Sequence, residues 1–99
     1  MFGSELISIA NKDGSTPLHF ACWNGQLAVV KYMIEELDVA NNLIMKTQLG
    51  NTPLNQAASQ GQLEVVKYLM VEGHCAEILN IKNKKGNTPL HQGKKNHFF

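Results

Sequence analysis

Apolar residues recur along the chain every three or four positions, which is the spacing of amphipathic helices. Residues 53–60, PLNQAASQ, and residues 62–72, QLEVVKYLMVE, each place apolar side chains three and four positions apart, which favours one buried helix face. In the first segment, Leu54, Ala57 and Ala58 share one side. The predicted stripe of the second segment consists of Leu63, Val65, Val66, Leu69 and Met70. The pattern therefore predicts a pair of short helices.

Residues at the ends of these segments are typical helix boundaries. Thr52 suits the N-cap, and Pro53 suits the first helical position, where its missing N–H would have had no partner. Gly61 and Gly73 are placed to end the two helices, since glycine adopts the left-handed conformation at helix ends. The two helices are thus expected to be joined by a tight turn.

The same helix pair is encoded twice, 36 residues apart. Aligning residues 14–49 with 50–85 without gaps gives sixteen identities, and a third copy begins at Gly86. A repeat of this length indicates a solenoid, whose units bury their apolar faces against neighbours. We expect one domain over 1–99, divided into a remnant of a preceding repeat (1–13), repeat 1 (14–49), repeat 2 (50–85) and a truncated repeat 3 (86–99).

A polar stretch separates the second helix from the next repeat. Residues 79–87, LNIKNKKGN, alternate apolar and polar letters and then form a Lys, Asn and Gly cluster typical of a turn. This pattern predicts a hairpin-like loop that projects from the stack.

The chain resembles ankyrin-repeat proteins, whose signature is T-P-L-H-x-A. The resemblance is carried by TPLHFACWNGQLAVVKYMIEE (16–36), TPLNQAASQGQLEVVKYLMVEG (52–73) and GNTPLH (86–91). It implies an all-α solenoid of stacked helix-turn-helix repeats with hairpin-like loops, and a protein-binding role without catalysis. The chain departs from the family pattern in its 36-residue period, in Leu37 at the turn glycine, and in Gly93 at an expected alanine.

The signature residues are implied to be structural. They are Thr16, Pro17, Leu18, His19, Thr52, Pro53, Leu54, Asn55, Thr88, Pro89, Leu90 and His91. In this family the histidine is similar to a clamp that bonds back near the threonine and ties adjacent units. Asn55 occupies that position in repeat 2, and its amide is expected to donate one hydrogen bond and accept another, without the pH-dependent charge of imidazole.

A partner-binding surface is expected on the loop tips and on the concave side of the first helices. Trp23, whose counterpart in repeat 2 is Ser59, is a candidate anchor, as is Leu49 on a loop tip. We predict central contacts from Trp23, Asn24, Leu49, Ser59 and Gln60, and rim contacts from Lys12, Asp13, Gln48, Lys84 and Lys85. The alternatives are that Trp23 covers an exposed end of the stack, and that the tips vary only as solvated loops.

Composition argues against several other classes of function. The formal net charge is +1, and all nine basic residues are lysines, so no arginine fork is available for phosphate or guanine. The five lysines after Ile81 fit a solvated chain end better than a nucleic-acid site. No apolar run approaches the ~20 residues of a membrane span. With two cysteines and no signal-peptide pattern, we expect an intracellular, cytoplasmic protein.

No catalytic or metal-binding constellation is evident. His19 and Cys22 are spaced three apart on one helix, and His74 adjoins Cys75, but both cysteines fall where the other repeat has a small packing residue. We expect no metal, no cofactor, no small-molecule substrate and no enzymatic activity. The predicted function is binding of a partner protein. The alternatives are that the chain is a fragment of a longer array without a function of its own, or that it self-associates through exposed stack ends.

Overall fold

A computed structural model describes residues 9–37, 43, 45–71 and 82–88, and within these ranges the regular structure is helical. Helix α1 spans Pro17–Trp23, α2 spans Leu27–Glu35, α3 spans Pro53–Ser59 and α4 spans Leu63–Val71. The second pair of helices begins 36 residues after the first. The predicted all-α architecture of stacked helix pairs is confirmed for this part of the chain.

The first helix of each pair begins as its sequence predicts. Thr16 and Thr52 have extended backbones, and each hydroxyl accepts a hydrogen bond from the N–H three residues on, with proline at the first helical position. The turns into α2 and α4 are made by Gly25 and Gly61, whose φ angles are 69° and 71°. A side chain would strain both positions.

The core lies between the two helix pairs. Helix α1 packs on α3, each first helix packs on its own second helix, and α2 packs on α4. Small alanines on α1 and α3 permit close approach, while leucines and valines fill the space between the pairs. The most completely buried apolar residues are Leu18, Cys22, Val30, Leu54, Ala57 and Leu69. Cys22 is therefore a core residue, as predicted from Ala58, the small residue at the equivalent position of repeat 2.

The predicted burial of one apolar residue, Leu63, is wrong. Leu63 is 40% exposed, although it begins the apolar stripe predicted for α4. The buried face of α4 is instead centred on Val65, Val66 and Leu69, with Tyr68 also buried, because α4 is covered by both α3 and α2. Leu63, at the first position of the helix, lies outside that cover.

Residues in equivalent positions of the two repeats differ in burial. Val65 is 1% exposed and Tyr68 is 8% exposed, whereas Val29 and Tyr32 are 40% and 57% exposed. Repeat 1 covers this side of the second helix pair, whereas the corresponding side of α2 is open to solvent. The residues at these equivalent positions are identical in the two repeats, so their burial depends on the place of the repeat in the stack.

Some sequence predictions lie outside the described residues. They concern the remnant at 1–8, the helix stop at Gly73, the pair His74 and Cys75, the signature residues Pro89, Leu90 and His91, Gly93, and the lysines at 94 and 95. The repeat boundaries at 14, 50 and 86 also stay predictions. Among the described helices, none is both long enough and apolar enough to cross a bilayer.

Candidate functional site

Three loop tips, residues 11–15, 47–51 and 83–87, are built in the same way. In each tip, a side-chain oxygen of the first residue accepts a hydrogen bond from the backbone N–H of the fifth, and the backbone of the same two residues closes the loop. The side-chain bonds measure 3.0 Å from Ser15 N to Asn11 Oδ1, 3.2 Å from Asn51 N to Thr47 Oγ1, and 2.9 Å from Asn87 N to Asn83 Oδ1. Each tip is therefore a closed hairpin-like loop, as predicted.

Adjacent tips are also bonded to each other. The N–H of Gln48 donates to the carbonyl of Asp13, and the N–H of Lys84 donates to the carbonyl of Leu49, both at 2.8 Å. Gly50 permits this close approach, since a Cβ there would lie 3.2 Å from the Cα of Asn83 and its φ is 82°. The tips therefore form a row with fixed spacing.

His19 joins the start of α1 to the second tip. The N–H of Thr16 donates to Nδ1 at 3.1 Å, and Nε2 lies 3.0 Å from the carbonyl oxygens of both Met45 and Asn51. Because Nδ1 accepts a backbone N–H, the neutral ring carries its proton on Nε2 and donates to those carbonyls. Burial lowers the pKa of His19 below its ordinary value of 6.5, against the raising effect of the two carbonyls.

Asn55 reproduces only part of this arrangement. Its Nδ2 donates to the carbonyl of Asn87 at 3.3 Å, across the boundary to the third tip. Its Oδ1 is buried without a hydrogen-bond partner in the described part of the chain. The expectation that the amide both donates and accepts is therefore wrong in its second half, because the side chain that reaches Asn87 with Nδ2 leaves Oδ1 without a hydrogen bond from any described donor, the Thr52 N–H included.

The row of tips and the first helices enclose an open groove of about 730 Å³. Six of the ten residues predicted to bind a partner line it: Asp13, Trp23, Gln48, Leu49, Ser59 and Lys85. Trp23 and Leu49 are apolar yet 42% and 54% exposed. The structure thus brings both candidate anchors to one concave surface, together with polar side chains from three tips.

The other four predicted residues lie outside the groove lining. Lys12, Asn24, Gln60 and Lys84 are exposed. Asn24 caps α1, and its Nδ2 donates to the carbonyl of Phe20 at 3.0 Å. Their part in binding stays a prediction.

The residues predicted to contact a partner do not include several polar residues of the groove. They are Ser15, Thr47, Asn51, Gln56, Asn83 and Asn87. Gln56 precedes Ser59 by three positions on α3, so helical spacing could have placed it on the same face. The tip residues carried no such signal, because only the bonds between tips decide which of their side chains face the groove.

Within the described ranges, no group of three or more His, Cys, Asp or Glu side chains is arranged to hold a metal ion. Both ring nitrogens of His19 are engaged in hydrogen bonds, and Cys22 is buried. What the groove offers chemically is apolar contact, amide hydrogen bonding and exposed charge, which suits recognition.

Comparison with known proteins agrees with the repeat architecture. A family model described as ankyrin repeats (3 copies) matches residues 36–98, and one described as ankyrin repeats (many copies) matches residues 2–48. No curated protein matches the chain. Ankyrin repeats generally serve as non-enzymatic modules of protein–protein interaction. With its helix pairs, hairpin-like tips and matched repeats, the chain belongs to the ankyrin-repeat family.

Proposed function

We propose that the protein binds a partner protein in the groove between the loop tips and helices α1 and α3. The observation that carries this proposal is the exposure of Trp23 and Leu49 on one concave surface. Large side chains at the centre of an interface supply most of its binding energy, and polar residues surround them. Gln48, Ser59 and the charged Asp13 and Lys85 provide such surroundings.

The frame around the groove is held before any partner arrives. Bonds from Gln48 to Asp13 and from Lys84 to Leu49 fix neighbouring tips, and His19 ties the second tip to α1. In addition, Gln62 Nε2 donates to the carbonyl of Trp23 at 2.9 Å. A preorganised surface loses little conformational entropy on binding, which favours affinity from a small area.

Truncation of the two anchors tests the proposal. A partner would be isolated from the native cell with the whole chain, and its affinity measured for the wild type, Trp23→Ala and Leu49→Ala. Each substitution is expected to weaken binding by about 1 kcal/mol or more, since both would remove exposed apolar area that the partner covers. Leu63→Ala is the matched control, because Leu63 is similarly exposed but lies on α4 away from the groove. Equal losses for all three variants, or none, would contradict the proposal.

A second candidate function is self-association through the open side of repeat 1. The observation that favours it is the exposure of Val29 and Tyr32, whose counterparts Val65 and Tyr68 are buried under a neighbouring repeat. A second copy of the chain could cover this side. Sedimentation over a wide range of concentration should then show a dimer that Val29→Lys with Tyr32→Lys abolishes. A monomer at all concentrations would exclude this candidate.

A further inference from the structure

One residue of each tip stands at the same place in the groove. Asp13, Leu49 and Lys85 are separated by 36 residues each, and all three line the groove. The row therefore presents an acid, an apolar side chain and a base in that order along the stack. Neither Asp13 nor Lys85 has a side-chain hydrogen bond or ion pair with any described residue, so both charges are available to a ligand.

We propose that the groove binds an extended peptide segment in which an apolar residue has a base about three positions to one side and an acid about three positions to the other. This inference rests on the proposed function and names the chemistry of its partner. The base would lie over Asp13, the apolar side chain between Leu49 and Trp23, and the acid over Lys85.

The spacing follows from the stack. Packed helices lie 8–10 Å apart, so equivalent residues of successive repeats are separated by about 10 Å. A peptide in the extended polyproline II conformation advances about 3.1 Å per residue with three residues per turn, so every third side chain returns to the same face about one repeat further along. A segment that passes all three tips therefore needs its two charges about six residues apart.

The groove can also engage a peptide backbone. Gln56 and Asn87 line it, and their side-chain amides make no hydrogen bond with any described residue. Each amide offers donors and an acceptor to the N–H and C=O groups of an extended segment. Charges at the rim then discriminate among segments more than they add affinity.

The opposite charges distinguish this ligand from a polyanion. Lys85 alone would attract a phosphate backbone, but Asp13 at the other end of the row repels one. A ligand with charges of both signs satisfies both tips. Enrichment of uniformly acidic ligands on the wild-type protein would overturn the inference.

Selection from a displayed library of random peptides tests the charge order. The library would be panned on the wild-type chain, on Asp13→Lys and on Lys85→Glu. The wild-type chain is expected to enrich peptides with opposite charges on the two sides of an apolar residue. Asp13→Lys should instead enrich peptides with acids on both sides, and Lys85→Glu should enrich peptides with bases on both sides. Single reversals are used because a peptide can bind in either direction, so exchanging both charges would only reverse it.

Each control is a substitution outside the groove that changes the charge by the same amount as the groove variant to which it is compared. Glu36→Lys matches Asp13→Lys, and Lys67→Glu matches Lys85→Glu; both positions are exposed and neither lines the groove. Both controls should select the wild-type pattern. Because exposed ion pairs are weak, a synthetic peptide of that pattern is expected to bind each reversed groove variant about threefold more weakly.

The outcomes separate this inference from the proposed function. One outcome is that the enriched peptides no longer bind Trp23→Ala or Leu49→Ala, but the wild type and all charge-reversal variants select peptides with the same charge pattern. In that case the proposed charge order is wrong, although the groove binds peptides. If no peptide depends on Trp23 or Leu49, both proposals fail. Circular dichroism of each variant establishes that it is folded.

Discussion

His19 and Asn55 occupy the same signature position in the two repeats, and they differ in how many hydrogen bonds their side chains make. His19 uses both ring nitrogens, one for the N-cap of α1 and one for the next tip. Asn55 reaches the next tip with Nδ2 but leaves Oδ1 buried and unpaired within the described ranges. An unpaired buried polar atom costs about 1–3 kcal/mol, so repeat 2 is held less well to the third tip.

Asn55→His is expected to stabilise the protein. A ring at this position would accept from the Thr52 N–H, as His19 does from Thr16, and would still donate to the Asn87 carbonyl. Removing the unpaired Oδ1 should raise the free energy of unfolding by about 1 kcal/mol, which corresponds to about 4–8 °C in Tm for a domain of this size. Thermal unfolding followed by circular dichroism measures the change. A lower Tm would mean that the histidine does not fit the Asn55 site.

His19 should make stability depend on pH. Its folded pKa is below the ordinary value of 6.5, so between these two values the unfolded chain binds more protons than the folded one. Stability contributed by the neutral ring is complete above the unfolded pKa and is lost as the pH falls through and below it. The wild type should therefore lose its advantage over His19→Asn on acidification.

Urea unfolding of both proteins at several pH values tests this sign. Effects of the other titrating groups largely cancel in the difference between wild type and His19→Asn. Asn is the matched replacement, because the chain already uses it at position 55. Parallel stability curves would show that His19 does not carry the pH dependence.

The clamp at His19 was predictable from sequence, while the defect at Asn55 was not. The resemblance carried by the T-P-L-H letters implies that the histidine bonds back near the threonine and ties adjacent units. Whether an amide of different length reaches both partners depends on distances of a few tenths of an ångström, which the letters do not contain.

At the scale of elements, the boundary between α2 and α4 is held by polar as well as apolar contacts. The O–H of Tyr68 donates to Oε2 of Glu35 at 2.6 Å, and Lys31 Nζ lies 5.6 Å from the centroid of the same ring. Tyr68 is largely buried, so its hydrogen bond to a carboxylate is partly shielded from water. This boundary therefore depends on a side chain that has an equivalent in repeat 1.

Tyr68→Phe is expected to destabilise the fold by about 1.5–3 kcal/mol, the usual contribution of a hydrogen bond to a charged group. Tyr32→Phe is the matched control, because Tyr32 occupies the equivalent position of α2 and is 57% exposed. The control should change the free energy of unfolding by less than ~0.5 kcal/mol. Urea unfolding of the two variants gives the comparison, and equal effects would contradict the assigned role of the Tyr68 hydroxyl.

The helices themselves follow from local sequence. Thr-Pro starts, glycine turns and apolar spacing depend on neighbouring residues, which the sequence displays directly. Burial on the second helices does not follow in the same way. Leu63 belongs to the apolar pattern but is exposed, and Tyr68 is buried because α2 lies against it.

At the scale of the whole molecule, the two helix pairs share one core. Leu18 and Leu54, each completely buried, lie in the first helices of different repeats and belong to the same apolar cluster. Units that stack in this way derive much of their stability from the interface with a neighbour. Damage to one repeat should therefore be felt in the other.

Leu54→Ala tests this coupling. Loss of a fully buried leucine is expected to cost about 2–5 kcal/mol. Trp23, the only tryptophan, reports on repeat 1 by fluorescence, while circular dichroism reports on helices of both repeats. Because the core is shared, both signals should move to lower urea together. A Trp23 transition that stays in place would show that the repeats unfold independently.

The sequence by itself determined the helix pairs, their 36-residue repetition, the ankyrin family and the candidate anchors Trp23 and Leu49. These features rest on local spacing and on comparison of the repeats, both of which can be seen in the letters. Tertiary structure decided which equivalent residues are buried, left Oδ1 of Asn55 without a partner among the described residues, and aligned Asp13, Leu49 and Lys85 along one groove. Those outcomes depend on contacts between repeats, and contacts are set by distances in space.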